Sequence, residues 1–280
     1  MRKEDLFSAT ACMNGLLLTI LLILGCQQRE VRLPARWVEP TTGMTFVRVP
    51  AGEFQVGTPT GEAGHEEWER LHPVRISRPF YLGQTEVTRQ QWSRILGNDP
   101  SALPPCPTCP VETVNYHRIE EFLALFSEST GESFRLPTEA EWEYACRAGT
   151  QAPFSTGAQL TTDQANFDGR YPYPGSPLGI NRGSTTPAAT FPPNAFGLYD
   201  MHGNVWEWTS DDMCPYEFIP DRTTIDPAGK CPTELRVIRG GSWIFNGDSA
   251  RCGLRYTHRP QDDGPSLGFR VVWEGVAAGE

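Results

Sequence analysis

From Gly149 onward the sequence carries no stretch of helical periodicity, and this constrains the fold more than any other single feature. Gly, Pro, Asn and aromatic residues dominate there, a composition that makes turns, irregular loops and short strands. With 27 Gly and 25 Pro in 280 residues, the whole chain is rich in turns. A half built this way cannot supply the alternating strands and helices of a doubly wound sheet. Hydrophobic residues still make up 39 %, enough for a real core. The pattern predicts an α+β domain with little regular structure.

Regular elements are predicted early. Phe46 to Val56 alternates apolar and polar residues and reads as a hairpin turning at Pro50-Ala51-Gly52. Gly57 to Arg70 is an acidic loop, and Pro73 to Tyr81 reads as one strand. Thr88 is placed to cap a helix through Trp92, Ile95 and Leu96 to Gly97. Asn98 to Val111 is a proline-rich loop. Ile119, Phe122, Leu123 and Phe126 recur at helical spacing and predict a core-packing helix over Tyr116 to Thr130, ended by Gly131. Thr138-Glu-Ala-Glu141 is a capping box opening a third helix through Trp142 and Ala145 to Gly149. Trp142, Trp206, Trp208 and Trp243 are expected to fill core between irregular segments.

The N-terminus reads as an address. The run Gly15 to Leu24 is almost wholly apolar, too short to span a bilayer comfortably, and has signal-peptide proportions. Ile23-Leu24-Gly25-Cys26 resembles a bacterial lipobox, in which Cys26 takes a lipid and becomes the new N-terminus. The competing readings are an ordinary signal peptide with an incidental cysteine and an uncleaved signal anchor. The expected organisation is a signal peptide with lipobox over 1–25, a lipid-anchored tether over 26–42 and one domain over 43–275. The protein is then an exported, membrane-anchored lipoprotein facing the periplasm or the cell surface. A formal charge of -10 with no basic stripe argues against nucleic acid as a partner.

Export changes how the cysteines read. Beyond Cys12, inside the signal, and Cys26, there remain Cys106, Cys109, Cys146, Cys214, Cys231 and Cys252, and an even number in an oxidising compartment suggests disulfides. Cys106-Pro-Thr-Cys109 is either a redox motif or a loop staple. Its proline-rich flanks favour the staple, because a catalytic CxxC usually opens a helix. A zinc site would need a second ligand pair at suitable spacing, and the sequence offers none.

Several segments together resemble the formylglycine-generating enzyme, or sulfatase-modifying factor, family. They are Val49 to Phe54, Thr85 to Thr88, Pro110 to Val114, Arg135-Leu-Pro-Thr-Glu-Ala-Glu-Trp-Glu-Tyr144, Gly197-Leu-Tyr-Asp-Met-His-Gly-Asn-Val-Trp-Glu-Trp208 with Thr209 to Asp211, Arg239-Gly-Gly-Ser-Trp243, and Leu267 to Arg270. They come in the family's order and cover nearly the whole domain. The resemblance implies a variant of the C-type lectin fold. It also implies a calcium site formed by the side chains of Asp200 and Glu207 and the carbonyls of Gly203 and Val205, hard oxygen ligands on an irregular loop. The other calcium site of the family is matched only by Asn166 and the Phe167 carbonyl. Ile180 falls where its acidic ligand should be, and Asn181 could substitute only after a one-residue shift.

The family's oxidase chemistry needs a closely spaced pair of cysteines just after the Gly-Gly-Ser-aromatic motif, a soft thiolate pair that holds Cu(I). Ser242 to Cys252 holds one cysteine. By the resemblance, Cys252 matches a structural cysteine that pairs with Cys146, which leaves Cys214 and Cys231 as a further pair and no copper ligands. The scattered His65, His72, His117, His202 and His258 show no iron-binding cluster, and Ser242 with Asp248 and His258 reads as a polar loop rather than a nucleophile and its base.

The favoured expectation is a calcium-braced binding or scaffold protein tethered to a membrane. Its ligand would be a protein, glycan or peptide held on loops around Ser242, Trp243, Phe245 and Arg255. The alternative is an oxidoreductase of the same family acting on a protein cysteine or a small exported metabolite.

Overall fold

The computed structural model describes residues 34–214 and 223–275. Cys12, Cys26, the proposed signal peptide and lipobox and the first part of the proposed tether lie outside the described residues. Among the described residues no helix is long and apolar enough to cross a membrane.

Strands β1 (Arg36–Val38), β2 (Thr45–Val49), β3 (Gly52–Val56), β4 (His72–Ile76) and β5 (Phe80–Gly83) come first. Helices α1 (Arg89–Leu96) and α2 (Tyr116–Thr130), strand β6 (Phe134–Arg135) and helix α3 (Glu139–Arg147) follow. The remaining strands are β7 (Trp206–Asp212), β8 (Thr224–Ile225), β9 (Arg236–Arg239), β10 (Tyr256–His258), β11 (Leu267–Gly268) and β12 (Val272–Trp273), with one 3-10 turn at Gly247–Ala250. They form three small sheets, ordered β1-β2-β5-β12-β6, β10-β9-β7-β11 and β3-β4-β8. The domain begins before residue 43, because β1, read from sequence as tether, pairs antiparallel with β2.

The helices form where capping chemistry allows. Thr88 with Gln91 and Thr138 with Glu141 make complete capping boxes, and the Asn115 side chain accepts from the Arg118 amide to start α2. Gly97 and Gly131 close α1 and α2 in the left-handed region, which glycine enters without steric cost. Helix α3 is closed by Ala148 in that same region.

Two strand expectations fail. Phe46 to Val56 is not a hairpin: β2 pairs with β1 and β5, whereas β3 pairs with β4 in another sheet. Pro50 cannot donate to a ladder, and the chain uses it to pass from one sheet to the next. Pro73 to Tyr81 likewise divides at Ser77–Pro79 into β4 and β5, which also lie in different sheets.

Helix α3 is the centre of the molecule. Every residue of it except Glu141 is buried, and Trp142, Ala145 and Cys146 pack with residues from β2, β3, β4 and β5. Burial of its charged side chains is balanced by Arg147 of the same helix, by Arg239 of β9 and by Arg255. Glu143 accepts from Arg147 at 2.8 Å and from Arg239, and Glu139 takes both nitrogens of Arg255 at 2.5 and 2.8 Å. Trp92, Trp142, Trp206 and Trp208 are fully buried, and Trp92 stacks on Phe122 at 5.2 Å. Trp243 is the exception to the expected core: it is only partly buried, and its Nε1 donates to the Pro265 carbonyl at 2.9 Å.

Candidate calcium centre and ligand face

The loop leading into β7 is shaped by backbone that few residues tolerate. Asp200 (φ 54°), Gly203 (φ 79°) and Asn204 (φ 61°) all sit in the left-handed region. Gly203 is required, since a Cβ there would lie 2.2 Å from the Asn166 carbonyl oxygen. Asn204 pins the loop: its amide donates to that carbonyl at 2.8 Å, and its Oδ1 accepts from the Thr186 amide at 2.9 Å. Two non-glycine residues held in this region mark a loop fixed by its surroundings.

Four charged groups meet behind this loop. Glu207, on β7, gives both carboxylate oxygens to Arg270 at 2.6 Å, and one of them also accepts from Trp142 Nε1 at 2.6 Å. Arg270 is fully buried and reaches the Gly83 and Tyr199 carbonyls as well, each at 3.1 Å. Asp200 accepts from the Ala189 amide through Oδ2 at 2.7 Å, while its Oδ1 is buried with no partner among the described residues. Glu86, 1 % exposed, has no hydrogen-bond partner on either oxygen among the described residues. Burial, reinforced by repulsion from Asp200 and Glu207, pushes the Glu86 carboxyl well above the ordinary range. Burial, together with the charge of Glu207, raises Asp200 to about 6.

Three carboxylates therefore share one guanidinium, and three buried oxygens are left without donors. A buried anion without a partner is costly, so such a cluster either stays protonated or takes up a cation. Hard oxygen donors suit calcium. Glu86 was not legible as part of the site: it lies in the Thr85 to Thr88 segment, which reads as architecture, more than a hundred residues before Asp200. Glu207 is engaged on both oxygens rather than open to an ion. For the second site, Asn166 Oδ1 is buried without a partner among the described residues, and Phe167 is buried. The Asn181 Oδ1 accepts from the Gly183 amide at 2.7 Å instead of facing Asn166, and Ile180 is exposed.

On the other side of the loop, Trp243 donates its amide to the Asn204 carbonyl at 3.0 Å, joining the candidate cation site to the Gly-Gly-Ser segment. Ser242 Oγ and Trp206 Nε1 are both buried without partners among the described residues. Trp206 stacks on Tyr256 (5.6 Å) and meets the edge of Phe245 (5.5 Å). Tyr256 is 46 % exposed and Ile244 is 51 % exposed. A buried donor and a buried hydroxyl thus lie under a half-exposed aromatic surface.

Phe245 joins this face through Trp206 and Tyr256, but Arg255 does not. Arg255 is buried against Glu139 and donates to the Trp68 carbonyl at 3.1 Å, on the wall of a separate cavity of about 620 Å³ shared with Asp211. A buried carboxylate drew the guanidinium inward, and sequence adjacency to Tyr256 concealed it. The missed residue of the face is Tyr256; Trp206, read as core filler, is buried behind it. Ser242 Oγ has no base: His258 Nδ1 instead faces Asp262 at 3.2 Å.

The structure joins Cys106 to Cys109, Cys146 to Cys252 and Cys214 to Cys231. His202 Nδ1 lies 4.0 Å from Cys146 Sγ, but sulfurs bonded to each other offer no thiolate ligand. The His202 Nδ1 donates to the Ala250 carbonyl at 2.7 Å, so Nε2 accepts from the Ser155 amide at 3.1 Å. This fixes one neutral tautomer, and burial lowers the imidazole to about 4. The one cysteine of Ser242 to Cys252 is bonded to Cys146.

Three small sheets, few helices and a loop-built second half define the formylglycine-generating-enzyme-like variant of the C-type lectin fold. The sulfatase-modifying factor enzyme 1-like domain profile matches residues 34–275, and the chain belongs to that family. It is 29 % identical over 295 aligned residues to the formylglycine-generating enzyme of Streptomyces coelicolor, covering 85 % of this chain and 92 % of that protein. The structure of PvdO from Pseudomonas aeruginosa is 31 % identical with a TM-score of 0.73, covering 87 % of this chain and 99 % of that one. Treponema denticola variable protein 1 shares the fold at 24 % identity and a TM-score of 0.72, covering 86 % of this chain and 100 % of that one.

Proposed function

We propose that this protein is a lipid-anchored cell-envelope member of the family, calcium-braced, that uses its loop surface to bind a protein, glycan or peptide and has no copper oxidase activity. The observation that carries this reading is the state of Cys252: the segment after Gly240-Gly241-Ser242 contains that cysteine alone, and it is tied to Cys146. Asp200 and Glu86 would hold the calcium ion with the carbonyls of Gly203 and Val205. The ion supplies the positive charge that Arg270 alone does not, and so fixes the loop on which Trp206 and the Gly-Gly-Ser segment rest. The ligand face is then Trp243, Phe245 and Tyr256, backed by the buried Trp206 and Ser242.

The test is an anaerobic Cu(I) titration against a competing chelator, followed by oxygen uptake with a cysteine-containing peptide. Neither tight copper binding nor oxygen uptake is expected. Stoichiometric binding with peptide-dependent oxygen consumption would restore the alternative, an oxidoreductase acting on a protein cysteine or a small metabolite. Metabolic labelling with a palmitate analogue tests the anchor, and Cys26→Ser should abolish the label.

A further inference from the structure

The Cys106-Pro-Thr-Cys109 loop takes no part in the carboxylate cluster or the ligand face, and it is built unlike the Cys146–Cys252 bridge. Cys146 and Cys252 are wholly buried and join residues 106 apart in sequence, whereas Cys106 and Cys109 are 3 apart. So small a ring removes little freedom from the unfolded chain. The loop is also held without it. The buried Arg89 guanidinium donates to the Leu103 and Pro104 carbonyls at 3.1 and 2.8 Å and pairs with Asp99 at 2.7 Å. The Glu112 carboxylate accepts from the Ala102 and Leu103 amides at 3.1 and 3.0 Å. Opening the sulfur–sulfur bond leaves all of these contacts in place.

The two cysteines differ in access. Cys106 is half-buried and Cys109 is 3 % exposed, so an incoming sulfur meets Cys106 first. Cys109 is seated on the start of α1: its carbonyl accepts from the Arg89 amide at 3.0 Å, and the Pro107 carbonyl accepts from the Gln90 amide at 2.9 Å. The Arg89 guanidinium is taken by Asp99 and the Leu103 and Pro104 carbonyls, so it is the positive end of the helix that favours a thiolate over a thiol at Cys109. A thiolate stabilised in this way is a good leaving group.

We infer that Cys106–Cys109 is a thiol–disulfide exchange site for a protein or peptide carrying two cysteine thiols, rather than an inert staple. A thiolate of the partner attacks Cys106 Sγ, the Cys106–Cys109 bond breaks, and Cys109 leaves with the electron pair. The partner's second thiolate attacks its own sulfur in the mixed disulfide and releases Cys106. The partner loses two electrons and gains a disulfide. The loop gains the two electrons, and the two protons of the partner's thiols end on Cys106 and Cys109.

The full chain, equilibrated anaerobically in glutathione buffers of stepped ratio and then alkylated, gives the closed fraction of each pair by mass spectrometry. Cys106–Cys109 should open at a ratio of squared glutathione to glutathione disulfide about tenfold or more below that needed for Cys146–Cys252, with near-UV circular dichroism unchanged. Cys109→Ser should accumulate a glutathione adduct on Cys106, and Cys106→Ser should form none on Cys109. If Cys106–Cys109 opens only together with Cys146–Cys252, or only as the dichroism is lost, the exchange site does not exist and the bond is a staple. Should either single variant fail to fold, the wild-type titration decides by itself.

Discussion

The charged groups around α3 and those behind the Asp200 loop are buried to the same degree and are balanced differently. Around α3, Glu139 and Glu143 are matched by Arg255, Arg147 and Arg239, and nearby Arg251 pairs with Glu62 and Glu69 at 2.9 and 2.8 Å. Behind the loop, Glu86, Asp200 and Glu207 share Arg270, and three oxygens lack donors. In the first arrangement every carboxylate is paired with an arginine, although the Nε of Arg239 and of Arg251 lacks a hydrogen-bond partner among the described residues, and the pairs hold irregular segments together. In the second, three carboxylates face one guanidinium, and the oxygens left without donors are the ones to which the calcium proposal applies.

The comparison breaks most visibly at Arg270. Arg270→Met should leave Glu207 buried with only Trp142 as a donor and cost about 3–5 kcal/mol in urea denaturation. A loss below about 1 kcal/mol would mean that Glu207 is not a buried charge. The next effect concerns a buried group that avoids charge altogether. The folded-state value of His202, about 4, lies below its ordinary 6.5, so the unfolded chain takes the proton more readily. Its contribution is complete above about pH 6.5, and about 3 kcal/mol of it is lost as pH falls toward 4. The difference in stability between wild type and His202→Gln should therefore shrink by that amount over the window, and a pH-independent difference would contradict it.

Calcium comes third. At a concentration 100-fold above its dissociation constant it should stabilise the wild type by about 2.7 kcal/mol, read as a rise in melting temperature. Glu86→Gln with Asp200→Asn should abolish that rise and, with chelator present, melt above the wild type because the carboxylate repulsion is gone. A calcium response that survives both substitutions would place the ion elsewhere. The smallest effect sets the scale of regular structure: Thr88→Ala removes the α1 cap and should cost about 1 kcal/mol, well below the loss at Arg270.

Local chemistry was legible in the sequence and non-local pairing was not. The starts of α1 and α3 follow from Thr88 and Thr138, whose side chains need only residues three positions away. The Phe46 to Val56 alternation correctly marks strands, but a period of two says nothing about which strand lies alongside, and β2 and β3 find partners in different sheets. The candidate cation site shows the same divide. Asp200 lies in a recognisable motif, whereas the unpaired state of Glu86 depends on a fold that brings it to Asp200. Arg255 was misplaced for the same reason, since its partner Glu139 lies 116 residues earlier.

Strand β12 stands between β5 and β6, holding together a sheet whose other strands all lie before residue 136. Arg270, two residues before it, completes the carboxylate cluster. A ribosome or a translocation channel therefore releases most of this domain before the piece that closes its first sheet emerges. The first sheet therefore closes only when the last described strand arrives.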